Sequence, residues 1–268
     1  MPWIKRSPLF AYYLFAYLFT WAIEVPMLLA VRGYIHVEFP PVLEALAAFG
    51  PLAAALLVTY VTGGSSAAAD LLRSLTNWRL PSRWLAFAIV SPFAVLIAAL
   101  MITGETAKLF SGEVCSNLVA GGKMFELVVL GGLLRGIGEE PGWRGYALPL
   151  LRSRFGPLLA TLALFPFWLC WHLPSFLMRP EFAWSAWFGF SAGVLSAAVW
   201  FTLMYDATRS VLIAAVWHAL INICRGFALA ASTAAFMAFA QVVLAVALLI
   251  VIYWLVRRPG PLVAEHRV

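Results

Sequence analysis

Stretches of about twenty consecutive apolar residues, repeated along the whole chain, limit what this sequence can fold into more than any other feature. A run of that length matches the hydrocarbon thickness of a bilayer when it is helical. Backbone groups there find no water and must be bonded within the segment. Candidate spans run roughly over 9–31, 41–62, 84–103, 123–150, 156–178, 184–205, 210–226 and 229–256. Hydrophobic residues make up 63% and charged residues 11% of the 268 positions, against about 25% charged in a soluble domain. Mean hydropathy is +0.91. One soluble core cannot hide that much apolar surface, so the excess must face lipid. The expectation is an all-α fold, a polytopic membrane helix bundle of about eight transmembrane helices, forming a single integral-membrane domain over residues 1–268. The first apolar stretch is too long for a signal-peptide core and is followed by no A-x-A site, so no cleaved signal is expected.

The net charge of +6 comes from basic residues scattered over loops, which points to membrane topology and the lipid bilayer as a partner, with no nucleic acid. With the N-terminus inside, eleven Lys and Arg, Arg79 and Arg267 among them, fall in inner segments, against five in outer ones (Arg32, Lys108, Lys123, Arg179 and Arg225). That bias places both termini in the cytoplasm, and compactness and composition suggest a bacterial cytoplasmic membrane. "TGGSSAAAD" (62–70) reads as a flexible turn and "TNWRLPSRW" (76–84) as an interfacial linker. "RSRFGP" (152–157) reads as a helix stop and restart, with Pro157 at an early helical position. Cys115, Cys170 and Cys224 form no C-x-x-C pair, so neither a disulfide framework nor a thiolate metal site is indicated. The twelve Trp read mostly as interface anchors.

Polar residues inside the apolar runs are the exceptions that demand a use, because ionised groups in hydrocarbon are costly. They fall in three patterns within 123–225: Glu139-Glu140-x-x-x-Arg144, Trp168-x-x-x-His172 and His218-x-x-x-Asn222. Glu140 and Arg144 stand at i and i+4 with the acid first, the better order for a helical ion pair. That pairing neutralises both and leaves Glu139, about 100° round the helix, free for other work. His218 and Asn222 share a face, while His172 precedes a Pro174 that should end or kink its helix. Gly132, Gly136, Gly138 and Gly142 form two overlapping small-x-x-x-small pairs that allow close helix approach. Glu24 and Glu44, in the first two spans, fit no pattern and read as packing or lipid-interface contacts. Trp143 and Trp171 are candidates to line the site.

A carboxylate, two imidazoles and a carboxamide converging in a polar cavity suit amide hydrolysis. Carboxylates in low-dielectric surroundings become stronger bases, so Glu139 is the candidate to deprotonate water, with His172 holding the same water or carrying its proton to the leaving amine. His218 and Asn222 are candidate oxyanion donors, an effect worth about 3–4 kcal/mol per donor elsewhere. The same atoms allow another reading: Glu139, His172 and His218 ligating Zn²⁺ with an open fourth position. One convergence condition is demanding. Counted from the ends of full spans at 1.5 Å per residue, His172 and His218 differ in depth by roughly 12 Å.

"EEPGWRG", "WLCWHLP" and "WHALIN" resemble, in order, the E-E-x-x-x-R, F-x-x-x-H and H-x-x-x-N/D signatures of the CAAX-protease and bacteriocin-processing family, which includes the type II CAAX prenyl endopeptidases. The resemblance covers roughly residues 80–225, and Trp168 replaces the family's Phe. It implies an intramembrane endopeptidase acting on a membrane-associated or lipid-modified protein or peptide. Glu139 and His172 would activate water, Glu140 and Arg144 would support them, and His218 and Asn222 would serve the oxyanion. No cofactor is the preferred expectation, with Zn²⁺ the alternative. The competing class is a non-catalytic membrane immunity or transport protein that uses the same polar cluster for binding. "GFSAG" (189–193) mimics the serine-hydrolase G-x-S-x-G elbow but lies in a helical run. Gly189 and Gly193 read better as helix-packing residues. No H-E-x-x-H occurs.

Overall fold

The computed structural model of the chain describes residues 2–40, 42–78, 80–179 and 183–262. Arg79 and Arg267, two of the basic residues counted for orientation, lie outside the described residues. Among the described residues there are helices and turns and no strand. The membrane segments are α1 (Pro8–Val31), α2 (Gly50–Arg73), α3 (Ser82–Thr103), α4 (Lys123–Arg152), α5 (Pro157–Trp171), α6 (Trp184–Thr208), α7 (Val211–Ala231) and α8 (Thr233–Arg257).

Eight full spans were expected. Six helices among the described residues are long and apolar enough to cross by themselves, and α4 makes a seventh if it is joined to Glu113–Ala120, from which it bends by 104°. The difference lies in α5. Its 15 residues rise about 22 Å, short of a hydrocarbon core of about 30 Å. Pro174 cannot donate to a preceding carbonyl, and the helix stops at Trp171 before a second short turn, Leu173–Leu177. A helix that ends inside a bundle leaves carbonyls unsatisfied, and α1 with its C-cap Arg32 brings side-chain donors to carbonyls around the break. Tyr17 Oη donates to Phe167 O at 2.7 Å, Trp21 Nε1 to Trp171 O at 3.1 Å, and Arg32 Nη2 to Leu177 O at 2.6 Å. The 12 Å depth mismatch presupposed a full fifth span, so it loses its basis.

The glycine pairs of α4 do the packing expected of them, on two different faces. A Cβ on Gly136 would stand 2.5 Å from Ala215 O on α7, and one on Gly132 would meet Ile223 there. A Cβ on Gly138 would stand 2.6 Å from Ala48 O, and one on Gly142 2.6 Å from Pro51. α4 is therefore wedged between α7 and the α2 region, its backbone in direct contact with both. Pro141 lies inside α4 and removes a backbone donor. Two stretches of α4, Glu126–Leu133 and Trp143–Ala147, are wound as π-helix on either side of the acidic turn, a distortion common at functional positions.

Four readings are corrected. The 62–70 segment is no free turn: α2 continues through it and bends at Gly64, whose φ of +79° suits a residue without a Cβ. Gly189 and Gly193 do no packing, since a Cβ on either meets nothing within 4 Å. Six tryptophans (143, 168, 171, 200, 217 and 254) are core residues at most 4% exposed, so the interface-anchor reading fails for them. Trp200 and Trp217 find indole partners inside the bundle, in Val243 O and Ser91 Oγ. Glu24 is 2% exposed, which rules out a lipid-interface contact, and Glu44 ion-pairs with Arg135 at 2.7 Å.

Candidate active site

The acidic turn of α4, the end of α5 and the middle of α7 meet in the centre of the bundle. Glu140 Oε1 accepts from Arg144 Nη1 at 3.0 Å and bonds His218 Nδ1 at 2.6 Å. Glu140 and Arg144 are 0% and 1% exposed. The i, i+4 pairing is the one expected, while the His218 contact from α7 was not legible from spacing within one helix. Arg144 is held by more than its charge. Its guanidinium lies 4.0 Å from the Trp168 ring centroid and 3.8 Å from that of Phe201, in the corner between two rings set at 75° to each other.

Glu139 is just as buried, at 1% exposed, yet differently engaged. Its Oε2 accepts from Trp168 Nε1 at 3.0 Å, while Oε1 has no partner among the described residues. His172 occupies the break after α5, where Nδ1 is 2.7 Å from Trp168 O. A carbonyl only accepts, so Nδ1 carries the hydrogen, and the neutral ring keeps the Nε2 lone pair free. His218 Nδ1 faces the Glu140 carboxyl oxygen that also accepts from Arg144, so there too Nδ1 is the nitrogen placed to donate. Trp168 lies edge-to-face with both imidazoles, with centroids 5.6 Å from His172 and 6.3 Å from His218. The indole is thus common to Glu139, Arg144, His172 and His218. Asn222 is drawn elsewhere: its Nδ2 donates to Gly131 O at 3.1 Å, in the first π-helical stretch of α4. One amide hydrogen and the carbonyl oxygen remain available.

α1 braces the histidine from behind. Trp171 Nε1 donates to Thr20 Oγ1 at 2.8 Å, and Thr20 Oγ1 donates to Ala47 O at 2.9 Å. Trp143 and Trp171, singled out as lining residues, pack against each other at 6.0 Å, and Trp171 meets the His172 ring at 4.8 Å. Glu24 comes within electrostatic reach of Glu139, Glu44 and Arg135. No local pattern marks Thr20, Glu24 or Phe201 as neighbours of the site. Their only signal is polarity or aromaticity on the inward face of another helix. Beside the centre, a cavity of about 340 Å³ is lined by Glu44, Ala45, Glu126, Leu130, Gly131 and Arg135.

The zinc alternative requires Glu139, His172 and His218 around one point. Each retains one free ligand atom, but no three His, Cys, Asp or Glu side chains among the described residues stand close enough to share an ion. The side chains as arranged do not fit that coordination set, and no step below passes through a metal.

Fold and site together define a class: a multi-pass helical membrane protein with a desolvated carboxylate–imidazole centre. Residues 122–224, which hold every element of that centre, match the family model described as type II CAAX prenyl endopeptidase Rce1-like. The chain is also 29% identical over 143 residues to CAAX prenyl protease 2 of Methanococcus maripaludis, covering 49% of this chain and 53% of the relative. It therefore spans about half the length of that curated relative. Both findings support the CAAX-protease family for this chain.

Proposed function

We propose that the protein is an intramembrane endopeptidase in which Glu139 activates water for attack on a peptide bond of a membrane-associated or lipid-modified protein. The observation that carries this reading is the unequal use of two adjacent buried carboxylates. Each keeps one oxygen without a partner among the described residues, but Glu140 Oε1 is bound to Arg144 and His218, whereas Glu139 makes no ion pair there and takes only the Trp168 indole N–H. A structural ion pair needs only one of them. A general base needs a free acceptor on a carboxylate that no cation already holds, and among the two only Glu139 meets both conditions.

The chemistry follows from the tautomers. Water loses a proton to Glu139 Oε1 as its oxygen attacks the carbonyl carbon, and the carbonyl π electrons move to oxygen. His172 Nε2, a lone-pair acceptor on the neutral ring, holds the same water or relays its proton. Collapse breaks the C–N bond, and the proton passes to the leaving amine. Asn222 has an amide hydrogen to offer the oxyanion. His218 Nε2 donates there only when its ring carries a second proton, because Nδ1–H is already given to Glu140. The printed name of the archaeal relative suggests prenylated C-terminal segments as the substrate class. The water-activating pair is read as metal-free.

The test compares membrane-proteome peptide termini between cells carrying the wild type and cells carrying Glu139→Gln at matched expression. New termini that depend on Glu139 are expected. Identical termini would remove the enzyme reading in favour of a binding role such as immunity or transport.

A further inference from the structure

Trp168 stands where the family pattern has Phe, and the difference is one N–H group placed on Glu139. We infer that Trp168 is the positioning residue for both members of the water-activating pair, and that this chain depends on the indole N–H for a function that Phe cannot perform. The inference rests on the endopeptidase reading and deepens it.

The argument is geometric. Through its backbone, Trp168 O accepts from His172 Nδ1 at 2.7 Å, which sets the tautomer and turns Nε2 outward. Through its side chain, Nε1 donates to Glu139 Oε2 at 3.0 Å, which leaves Oε1 as the free oxygen. Any residue at 168 supplies the carbonyl, but among the two aromatics only Trp supplies the donor. The ring also fits its neighbours electrostatically. Its electron-rich face carries the Arg144 guanidinium at 4.0 Å, and its polar edge carries the carboxylate. Trp168 is 3% exposed and packs against Phe201 at 5.8 Å, so the indole cannot swing to another partner without opening the core. With Phe in its place, Glu139 Oε2 would lose its one donor among the described residues while remaining buried. The carboxylate would then be free to rotate, with neither oxygen fixed toward the substrate.

Two replacements separate a hydrogen-bonding role from a packing role. Trp168→Phe removes the donor and part of the volume. Incorporating 3-benzothienylalanine at position 168 keeps size and shape and exchanges N–H for sulfur. Charge-assisted hydrogen bonds of this kind correspond to roughly tenfold to a hundredfold in rate. We expect both variants to slow the appearance of Glu139-dependent termini in isolated membranes by about that factor, with the rate–pH profile displaced. The isostere keeps the packing, so its melting temperature should fall less than that of Trp168→Phe. If the isostere cleaves at the wild-type rate, Trp168 acts by packing alone and the inference fails. A second measurement needs no substrate. In ¹⁵N-indole-labelled protein in micelles, the resonance lost in Trp168→Phe should move in Glu139→Ala. A resonance indifferent to Glu139→Ala would overturn the inference. Termini unchanged in Glu139→Gln would sink the protease reading instead, and the indole resonance would still report whether Trp168 holds Glu139.

Discussion

At the scale of single residues, the centre of this protein shows how two identical neighbouring side chains acquire different roles. Glu139 and Glu140 have the same chemistry and nearly the same burial, and only their neighbours differ. Glu140 faces Arg144 and His218, and Glu139 faces Trp168. Removing one partner of a buried ion pair costs about 3–5 kcal/mol because it strands the other charge. Glu140→Gln should therefore lower the melting temperature markedly, and Arg144→Met should do so as well. The double replacement Glu140→Met with Arg144→Met should recover much of that stability, as thermal unfolding in detergent would report, while Glu139-dependent cleavage stays lost. Arg144→Lys should retain only part of the stability, since a compact ammonium cannot cover both the Trp168 and the Phe201 ring as a guanidinium does. Full stability in Arg144→Lys would show that the two aromatic rings contribute nothing to holding the cation.

At the scale of elements, contact decides which glycines matter. Gly136→Ala would drive a methyl group to 2.5 Å from Ala215 O, and backbone cannot yield as a side-chain tip can. Overpacking of this kind costs about 1–3 kcal/mol, and here it would also push α4 away from His218. Gly193→Ala meets nothing within 4 Å and should be neutral or slightly stabilising, by at most about 1 kcal/mol from helix propensity. A melting comparison of the two would expose an error in either placement. The loop after α3 carries a pH-dependent clamp outside the membrane segments. Ser232 Oγ and Lys108 Nζ both donate to Glu105, at 2.6 and 3.0 Å, and these bonds hold its carboxyl below the ordinary range. A carboxyl that is more acidic when folded adds stability above its unfolded value, and that stability is lost as pH falls through the folded one. Acidification below the usual carboxylate range should therefore loosen the start of α8. Hydrogen exchange near Ser232 would detect this, and Glu105→Gln should abolish the pH dependence.

At the scale of the whole molecule, one ionic node ties the chain end to the helical junctions. Arg152, 1% exposed, makes two bonds to Asp206 at 2.8 and 2.9 Å and also donates to Phe155 O and Gly260 O. The Leu262 N–H returns to Arg152 O at 2.8 Å. The tail is thereby folded back over the α4–α5 junction after Arg258, whose φ of +47° reverses the chain. Asp206→Asn should release this tail and speed tryptic cleavage after Arg257 while leaving Glu139-dependent termini intact. Unchanged protease sensitivity would mean that the backbone bond alone secures the tail.

The sequence by itself determined the membrane-embedded helical class, because apolar runs and charge depletion are local and additive. It determined the Glu140–Arg144 pair for the same reason, since both residues ride one helix turn. The packing glycines of α4 were equally legible. Only the tertiary structure decided what each of the two adjacent glutamates touches beyond Arg144, because those contacts come from His218 and Trp168 on other helices. It also decided that α5 stops short. A proline announces a break, but whether the freed carbonyls can be tolerated in a bilayer depends on the donors that α1 brings alongside. Between packing and lipid contact, Glu24 and Glu44 could be assigned only in three dimensions, because a carboxylate in a span has no assignable role until the helix opposite it is known.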